Sequence, residues 1–284
     1  MNHDFCVCIL THGRPDVKTT STLRKCGYSG DIKYIIDNED DKQQEYIDKY
    51  GDDVIVFNKE LAEQITDTCD LVKHRKAVVF ARNYIFQIMK DAGYKYFLVL
   101  DDDYTTFAFA FDEKLDYCGH RKIKDMDSVL DIVMDYYIDN KKLRTIAMAQ
   151  GGDFIGGKGG SEGARIRAKR KAMNAFFCSV NRPFDLKGRI NEDVNAYVSH
   201  GRKGVIMHQI NQLRLEQGTT QQNAGGLTDI YLALGTYVKS FYSVMIEPSC
   251  VRVALMGVKN KRLHHEISWN NCTPKILREV IKHG

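Results

Sequence analysis

The sequence has little of what marks fibrous, disordered or membrane-spanning chains. Only 4 of its 284 residues are proline and 43% are hydrophobic, which is typical of a packed globular protein. No apolar run approaches the roughly 18 to 20 residues that cross a bilayer, and no basic flank precedes an apolar segment at the N-terminus. We therefore expect a soluble protein that is not exported and has no membrane partner.

Paired cysteines are also missing. The eight cysteines are scattered, form no Cys-x-x-Cys motif and mostly lie among apolar residues. This pattern argues against a disulfide framework and predicts reduced thiols in the core of a cytosolic protein.

The common phosphate-binding glycine loops do not occur either. There is no Gly-x-x-x-x-Gly-Lys-Ser/Thr motif, and the glycine-rich stretch after residue 150 does not match the dinucleotide-binding fingerprint. Ordinary kinases, ATPases and dehydrogenases are therefore disfavoured.

The overall net charge of +4 hides an asymmetry between the two halves of the chain. Residues 1–150 carry a net charge of −6, whereas residues 151–284 carry +10. A basic half of this kind suggests an anionic partner, with nucleic acid as the leading candidate, while a solvated basic surface is the alternative.

Short apolar runs alternate with amphipathic stretches, which predicts an α/β fold with a mixed central sheet. The predicted strands cover residues 5–10, 32–37, 54–57, 96–100, 145–149, 175–180, 205–209 and 242–246. One predicted helix ends at residue 23, and three others cover residues 72–92, 126–140 and 192–200. Ligands bind beyond the carboxyl ends of parallel strands, so the loops at residues 11–16, 37–41 and 101–104 are expected to line one cleft.

Residues 151–171 differ from the rest of the chain. They contain seven glycines followed by a basic run, a composition that predicts a mobile loop rather than a regular element. The basic run offers five cations to a phosphate backbone, although a solvated linker is an equally simple interpretation.

Three consecutive aspartates follow the predicted strand at residues 96–100. Like charges this close repel one another, so a compensating cation is expected. Carboxylate oxygens suit Mg²⁺ or Mn²⁺, and such ions also take substrate phosphates as ligands. Asp101 and Asp103 are therefore candidate ligands of a metal that holds a diphosphate, and a solvated acidic turn is the alternative.

A second acidic motif, Asn191-Glu192-Asp193, lies at the start of a predicted helix. Asparagine is a good N-cap and acidic residues favour the first turn, so a purely structural role is one interpretation. Beside a diphosphate cleft, however, a carboxylate can also deprotonate an attacking hydroxyl group.

Three further features are ambiguous from the sequence. Arg82, in an Ala-Arg-Asn helix, can bind a phosphate or carboxylate, or can be an ordinary exposed helical arginine. His264 and His265 lie on a predicted strand, where neighbours point to opposite faces, so only one of them can be a ligand and a structural role is the simpler reading. Trp269, the only tryptophan, is expected in the core.

Taken in order, these motifs resemble a known family. A strand followed by Thr-x-Gly-Arg-Pro, the Ala-Arg-Asn helix, the Asp-Asp-Asp strand end, Asn-Glu-Asp and the terminal His-His-x-Ile-Ser-Trp-Asn-Asn segment together resemble GT-A fold glycosyltransferases. More narrowly, they resemble the TET-associated glycosyltransferases of bacteriophages, including the arabinosyltransferases of T4-like phages that act on 5-hydroxymethylcytosine. The resemblance implies a Rossmann-like nucleotide-sugar-binding fold and a location in the cytoplasm of an infected bacterium.

The resemblance also implies roles for individual residues. Residues 1–150 would form the nucleotide-sugar-binding half and residues 151–284 the DNA-binding acceptor half of one continuous domain. Asp193, or failing that Glu192, matches the catalytic base of inverting members. Metal ligands would be Asp101, Asp103 and one of His264 and His265. The donor side would comprise Thr11, Arg14, Asp37, Arg82, Asn83, Asp101 and Asp102. The insert, which the generic fold does not contain, is assigned to DNA through Lys158, Arg165, Arg167, Lys169, Arg170 and Lys171, or to a closing lid.

The predicted activity is therefore transfer of a sugar, arabinose or glucose, from a UDP-sugar to a hydroxymethyl group of phage DNA with Mn²⁺ or Mg²⁺. Three alternatives stay open at this point. They are a glycosyltransferase acting on a carbohydrate or lipid, a non-catalytic nucleic-acid-binding module, and a nucleotidyltransferase.

Overall fold

A computed structural model shows the predicted α/β fold with a mixed central sheet. It describes residues 4–73, 75–150, 166–167, 172–173, 175–217, 237–257 and 261–274. Strands from both halves of the sequence join in one ten-stranded sheet with the order β3-β2-β1-β4-β9-β7-β10-β5-β6, to which β8 adds by pairing with β10. The large-sheet strands are β1 Phe5–Leu10, β2 Ile32–Asp37, β3 Val54–Phe57, β4 Tyr96–Asp101, β5 Tyr104–Phe111, β6 Tyr117–Lys122, β7 Leu143–Gln150, β8 Ile166–Arg167, β9 Phe176–Ser179 and β10 Ile206–Gln217.

The first four strands form a parallel unit, as their continuous apolar runs predict. β1 lies between β2 and β4 and pairs in parallel with both, and β3 extends the unit beyond β2. β9 then pairs antiparallel with both β4 and β7, so the sheet becomes mixed. This arrangement brings the carboxyl ends of β1, β2 and β4 to one edge, where their following loops meet.

Helices cover both faces of this sheet. They are α1 Lys18–Lys25, α2 Gln43–Tyr50, α3 Lys59–Gln64, α4 Val79–Asp91, α5 Met126–Asp139, α6 Glu192–Arg202, α7 Val238–Ile246 and the short α8 Trp269–Cys272. Every residue of β1 is buried. Phe5, Val7 and Ile9 pack in the core with α1, α2 and α5, whereas the alternate residues of β1 pack with α3, α4 and α6. The period of two in a strand thus divides one apolar run between two cores.

A separate hairpin follows α7. β11 Val251–Met256 and β12 Arg262–Ile267 form a two-stranded antiparallel sheet. Trp269, in α8, is partly buried and stacks on Tyr197 of α6 with ring centroids 5.7 Å apart. The expected core position of this tryptophan is therefore a packing position at the edge of the core.

Two predicted elements are wrong. Residues 242–246 belong to α7 and not to a strand, and the helix expected at 72–92 begins only at Val79. Before Val79, the backbone turns on aspartate side chains, because the Cys69 amide donates to Asp67 Oδ1 and the Val72 amide donates to Asp70 Oδ1. Such local hydrogen bonds compete with helix formation.

All eight cysteines are free thiols, as expected, and six of them are buried. Cys6 and Cys8 of β1 pack with Met89 of α4, with the Cys8 and Met89 sulfur atoms 3.0 Å apart. Cys69 and Cys118 are exposed. In the part of the chain that the structure describes, no helix is both long and apolar enough to cross a membrane.

Gly188 provides a stability test of the packing between α6 and α7. It has φ +85°, and a Cβ atom there would lie 2.7 Å from both Asn195 Nδ2 and Tyr242 Cε1. We expect Gly188→Ala to be destabilised by the left-handed backbone, about 1–2 kcal/mol, and by overpacking, about 1–3 kcal/mol. Gly93→Ala, at φ +83° with nothing within 4 Å, is the matched control and should show only the first cost. Equal losses in urea unfolding would contradict the packing argument.

Candidate active site

The loops after β1 and β4 meet at the carboxyl edge of the parallel strands. Thr11 Oγ1 donates to Asp102 Oδ2 at 2.7 Å, and Arg14 Nη2 lies 3.0 Å from Asp102 Oδ1. Asp102 is only 3% exposed. Burial raises its pKa to about 6, while Arg14 and Thr11 oppose the rise. Thr11 and Arg14 thus hold the middle aspartate of the triplet inward, which leaves Asp101 and Asp103 to face other partners.

The loop after β2 joins the same edge. Asp37 Oδ2 accepts from Lys59 Nζ at 3.0 Å and lies 2.9 Å from His12 Nδ1. The Gly13 amide donates to Asp40 Oδ2 at 2.8 Å. The three predicted loops therefore meet at one edge of the sheet, and the cleft between them stays a prediction. Asp37 is already occupied by a buried lysine, so it is an anchor for this loop as well as a predicted donor-side residue.

The contact between His12 and Asp37 gives a pH-dependent prediction. The hydrogen bond to Asp37 raises the pKa of His12 above its ordinary value. The contact should therefore stabilise the fold fully below the unfolded pKa of about 6.5 and lose its effect as pH rises through the higher folded value. Because the His12 side chain is 50% exposed, we expect His12→Asn to lose no more than about 1 kcal/mol, and only at acidic pH. Denaturant unfolding at about pH 5.5 and 8.5 checks this, and a pH-independent difference would contradict it.

Arg82 of α4 connects the aspartate triplet to the second acidic motif. Its Nη2 donates to Asp101 Oδ1 at 2.9 Å and Oδ2 at 3.2 Å, and its Nη1 donates to Glu192 Oε1 at 2.6 Å. Arg82 is only 4% exposed, so the interpretation as an ordinary exposed helical arginine is wrong. Its guanidinium bridges two carboxylates that lie 91 residues apart in the sequence, and both of them compete with any donor phosphate for this arginine.

Glu192 and Asp193 begin α6 and are both buried, at 6% and 7% exposure. Burial raises the pKa of Glu192 to about 7, with a further rise from Asp193, while the Arg82 guanidinium opposes both. Asp193 Oδ1 accepts from the Val194 amide at 2.7 Å. A buried carboxyl group that titrates near neutrality is suited to accept a proton, so the motif has the properties of a general base.

Asn191 does not cap α6 in the way its residue type suggests. It has a left-handed backbone with φ 53°, and its side chain makes no capping hydrogen bond. Instead, its Nδ2 donates to the Lys239 carbonyl at 2.7 Å and to Ser243 Oγ at 3.2 Å, both in α7. The acidic motif is therefore fastened to α7 rather than only to its own helix.

Asn83, beside Arg82, has a structural position. Its Nδ2 donates to the Leu186 carbonyl at 3.0 Å, and its Oδ1 accepts from the Leu186 amide at 2.7 Å. This pair of hydrogen bonds imitates a strand contact and holds the segment that leads to Glu192. The amide group of Asn83 is thus used within the protein, and its role toward the donor stays a prediction.

A second buried ion pair behind the acidic motif was not predicted from the sequence. Arg189 Nε lies 3.1 Å from Asp70 Oδ2, and Tyr242 OH donates to Asp70 Oδ2 at 3.1 Å. The Arg189 side chain is 2% exposed. These groups tie the loop after α3 and the helix α7 to the residues just before α6. Their separation along the chain explains why no local pattern predicts them.

Asp103 has the chemistry expected of a cation ligand. It is half-buried, and burial together with Asp101 raises its pKa. Among the described residues, no side chain donates a hydrogen bond to its carboxylate. Hard carboxylate oxygens without a donor suit Mg²⁺ or Mn²⁺, so Asp103 fits the predicted ion. Both oxygens of Asp101 accept from Arg82, so an ion at Asp101 would share this carboxylate with the guanidinium.

The two histidines do not complete that site in the structure. They lie on β12, as predicted, with His264 Nδ1 2.7 Å from the His265 carbonyl oxygen. Within the described ranges, the structure brings together no group of three or more His, Cys, Asp or Glu side chains that could hold a metal. Their role as ligands stays a prediction.

The predicted DNA contacts of the insert cannot be placed in the same way. Lys158, Arg165, Lys169, Arg170 and Lys171 lie outside the described residues. Arg167 belongs to β8, whose backbone pairs antiparallel with β10 at Gln209. This short strand is a regular element inside a stretch that was expected to contain none.

Comparison with known proteins gives the following relationships. A sequence model of the TET-associated glycosyltransferases matches residues 5–226. No curated protein gives a significant match. One similar solved structure is a crystal structure of GalNAc-T7 with UDP, GalNAc and Mn²⁺, with 14% sequence identity and a TM-score of 0.41, and the alignment covers 75% of this chain and 43% of that chain. The chain therefore spans less than half the length of that protein.

The family match includes all three loops of the cleft, the triplet, Arg82 and the acidic motif. It extends over well more than half of the chain, from β1 to beyond β10. The protein accordingly belongs to the TET-associated glycosyltransferase family.

Proposed function

We propose that this glycosyltransferase moves a sugar from a UDP-sugar to the hydroxymethyl group of 5-hydroxymethylcytosine in phage DNA. The observation that carries the proposal is the ion-paired chain of the partly buried Asp101 and the buried Arg82 and Glu192. It connects the aspartates that are suited to a donor diphosphate with a carboxylate pair that is suited to activate an acceptor. The family name supports a link to modified DNA, and the +10 charge of residues 151–284 suits a polyanionic acceptor.

On the donor side, Asp101 and Asp103 would hold a divalent cation. Such an ion supplies charge neutralisation for a departing diphosphate. Thr11 and Arg14 keep Asp102 buried, and this fixes the turn on which the other two aspartates are presented. Arg82 holds Asp101 in place from behind, so the carboxylate is oriented before the donor binds.

On the acceptor side, Asp193 takes the proton of the hydroxymethyl group. The hydroxyl oxygen then bonds to the anomeric carbon of the sugar as the bond from that carbon to the UDP oxygen breaks, and UDP departs with the bonding electrons. This direct displacement inverts the anomeric centre. Glu192, held by Arg82, stands beside Asp193, and the charge of Asp193 contributes to the raised pKa of Glu192.

The hydroxymethyl group of the acceptor base can be reached by two routes. The 5-position of cytosine faces the major groove, so attack can occur either in the groove or on a base flipped out of the helix. The basic insert residues Lys158, Arg165, Arg167, Lys169, Arg170 and Lys171 are the proposed contacts to the phosphate backbone.

Mass spectrometry of nucleosides tests the proposal directly. DNA containing 5-hydroxymethylcytosine is incubated with the protein, Mn²⁺ and a panel of UDP-sugars that includes UDP-arabinose and UDP-glucose. A pentose or hexose mass shift on the modified base is the expected result and names the donor. Release of UDP from the UDP-sugar while the nucleosides stay unmodified would contradict the DNA acceptor and favour a carbohydrate or lipid. The family assignment leaves the binding-module and nucleotidyltransferase alternatives without support.

Asp103→Asn tests the donor side of the same reaction. Removing one carboxylate charge weakens the hold on a divalent cation, so we expect metal-dependent UDP binding to fall by at least about tenfold while metal-free binding changes little. Isothermal titration with UDP, with and without Mn²⁺, measures both. Asp112→Asn, at the end of β5, is the matched control and should bind as the parent protein does. Unchanged metal dependence in Asp103→Asn would remove Asp103 from the site.

A further inference from the structure

Helix α7 presents an exposed apolar stripe to solvent. Tyr237, Phe241 and Met245 are spaced by four residues and are 61%, 46% and 66% exposed. Residues at this spacing share one face of a helix. The opposite face of α7 is buried, with Ser240, Tyr242 and Ser243 turned inward. Single exposed apolar residues are scattered over most protein surfaces and need no explanation. Several of them gathered on one face are a feature of interaction surfaces.

The helix that carries this stripe also contacts the segment just before the predicted catalytic base, which itself lies in α6. Asn191, directly before Glu192 and Asp193, donates to the Lys239 carbonyl and to Ser243 of α7. The Arg189 amide donates to Tyr242 OH at 3.1 Å. A molecule bound along the outer face of α7 therefore lies one helix diameter, about 10 Å, from the start of α6.

The charges around the stripe favour an anionic partner. Ser240 Oγ donates to the Leu263 carbonyl, which places β12 against α7, and Lys261 and Arg262 just before it are exposed. Both described acidic residues of the α7 and hairpin region are already paired. Glu247 accepts from Ser199 and lies 3.0 Å from Arg202 Nε, and Glu266 lies 2.8 Å from Arg252 Nε.

We propose that the stripe Tyr237, Phe241 and Met245, flanked by Lys261 and Arg262, is a docking surface for the acceptor nucleic acid. The inference rests on the proposed function, since it assigns a second DNA contact to the same enzyme. Proteins bind single-stranded nucleic acid by stacking aromatic side chains on unpaired bases and by placing cations against the phosphates. The stripe ends at a cavity of about 320 Å³, whose lining includes Met245 and Lys187.

The expected result is a loss of DNA affinity that leaves the donor site intact. Phe241→Ala in the full chain should weaken binding of a fluorescein-labelled single-stranded oligonucleotide containing 5-hydroxymethylcytosine by about tenfold, with unchanged UDP affinity. Arg262→Ala should weaken binding of the same oligonucleotide and lower its salt dependence by about one phosphate contact. Ile132→Ala on α5, which removes a side chain 69% exposed, and Lys25→Ala on α1 are the matched controls.

Each other outcome overturns the inference. If the parent protein binds DNA and Phe241→Ala binds it equally well, the surface is wrong while the proposed function stands. If Phe241→Ala instead shifts a dimer to monomer in sedimentation velocity with unchanged DNA affinity, the stripe binds a second copy of the chain. If the parent protein binds neither single-stranded nor duplex DNA, the proposed acceptor fails and the inference fails with it.

Discussion

Asp193→Asn should reduce sugar transfer by about 10²–10⁴-fold while UDP-sugar binding stays within twofold of the parent protein. The substitution keeps the shape of the side chain and removes its ability to accept a proton. Because Asp193 is buried at the start of α6, a carboxylate ion from the buffer cannot take its place as the base. Single-turnover transfer to DNA containing 5-hydroxymethylcytosine, together with titration of the donor, separates the two effects.

Glu192→Gln is the matched control for that experiment. Glu192 accepts a hydrogen bond from Arg82. We expect Glu192→Gln to retain measurable transfer and to change its pH dependence, because the carboxyl group whose pKa burial raises to about 7 is gone. The acidic limb of the rate profile should then move toward lower pH. Normal turnover by Asp193→Asn with collapse in Glu192→Gln would transfer the role of base to Glu192.

Arg82→Met should lower the free energy of unfolding by about 3–5 kcal/mol. The substitution leaves Asp101 and Glu192 without the cation that bridges them. Removing one partner of a buried ion pair leaves a buried charge uncompensated, which destabilises a protein by about this amount. Arg82→Lys should also be destabilised, because a point charge cannot bridge two carboxylates as a planar guanidinium does. Denaturant unfolding measures the difference.

Arg75→Met is the control for that measurement. Arg75 contacts Glu39 at 2.6 Å and Glu63 at 2.7 Å, yet these ion pairs are at the surface, where water screens them. It should therefore lose far less stability than Arg82→Met. Adding Glu192→Gln to Arg82→Met should restore part of the loss, because it removes one of the two unpaired charges. Equal losses in the two arginine variants would contradict the buried-bridge argument.

The fold was predictable where burial is continuous along the chain. The apolar runs Phe5–Leu10 and Tyr96–Asp101 are strands because both of their faces are covered, and this leaves a clear mark in the sequence. The run at residues 242–246 was ambiguous, since a short apolar stretch fits a strand and a helix equally well. What decides it is tertiary: Tyr242 OH donates to the Thr68 carbonyl, 174 residues away.

The candidate site was predictable as a set of residue types and not as a network. The strand end predicts that Asp101 and Asp103 lie at the cleft, because side chains after parallel strands share one edge. The burial of Arg82 was not predictable, since its partners lie 19 and 110 residues away. Asn191 shows the same limit, because its residue type suggests a cap and its contacts are with α7.

The distribution of thiols described above makes the protein convenient for chemical labelling. Cys118 lies on β6 at the edge of the sheet, and Cys69 lines the cavity beside α7. Burial and Asp67 raise the pKa of Cys69 to about 11, so little of its thiolate exists at neutral pH. A maleimide fluorophore should therefore attach first to Cys118. In Cys118→Ser, the dye should attach to Cys69 at alkaline pH, more slowly than it attaches to Cys118 in the parent protein. A dye at Cys69 lies next to the proposed acceptor surface, so its fluorescence can report DNA binding.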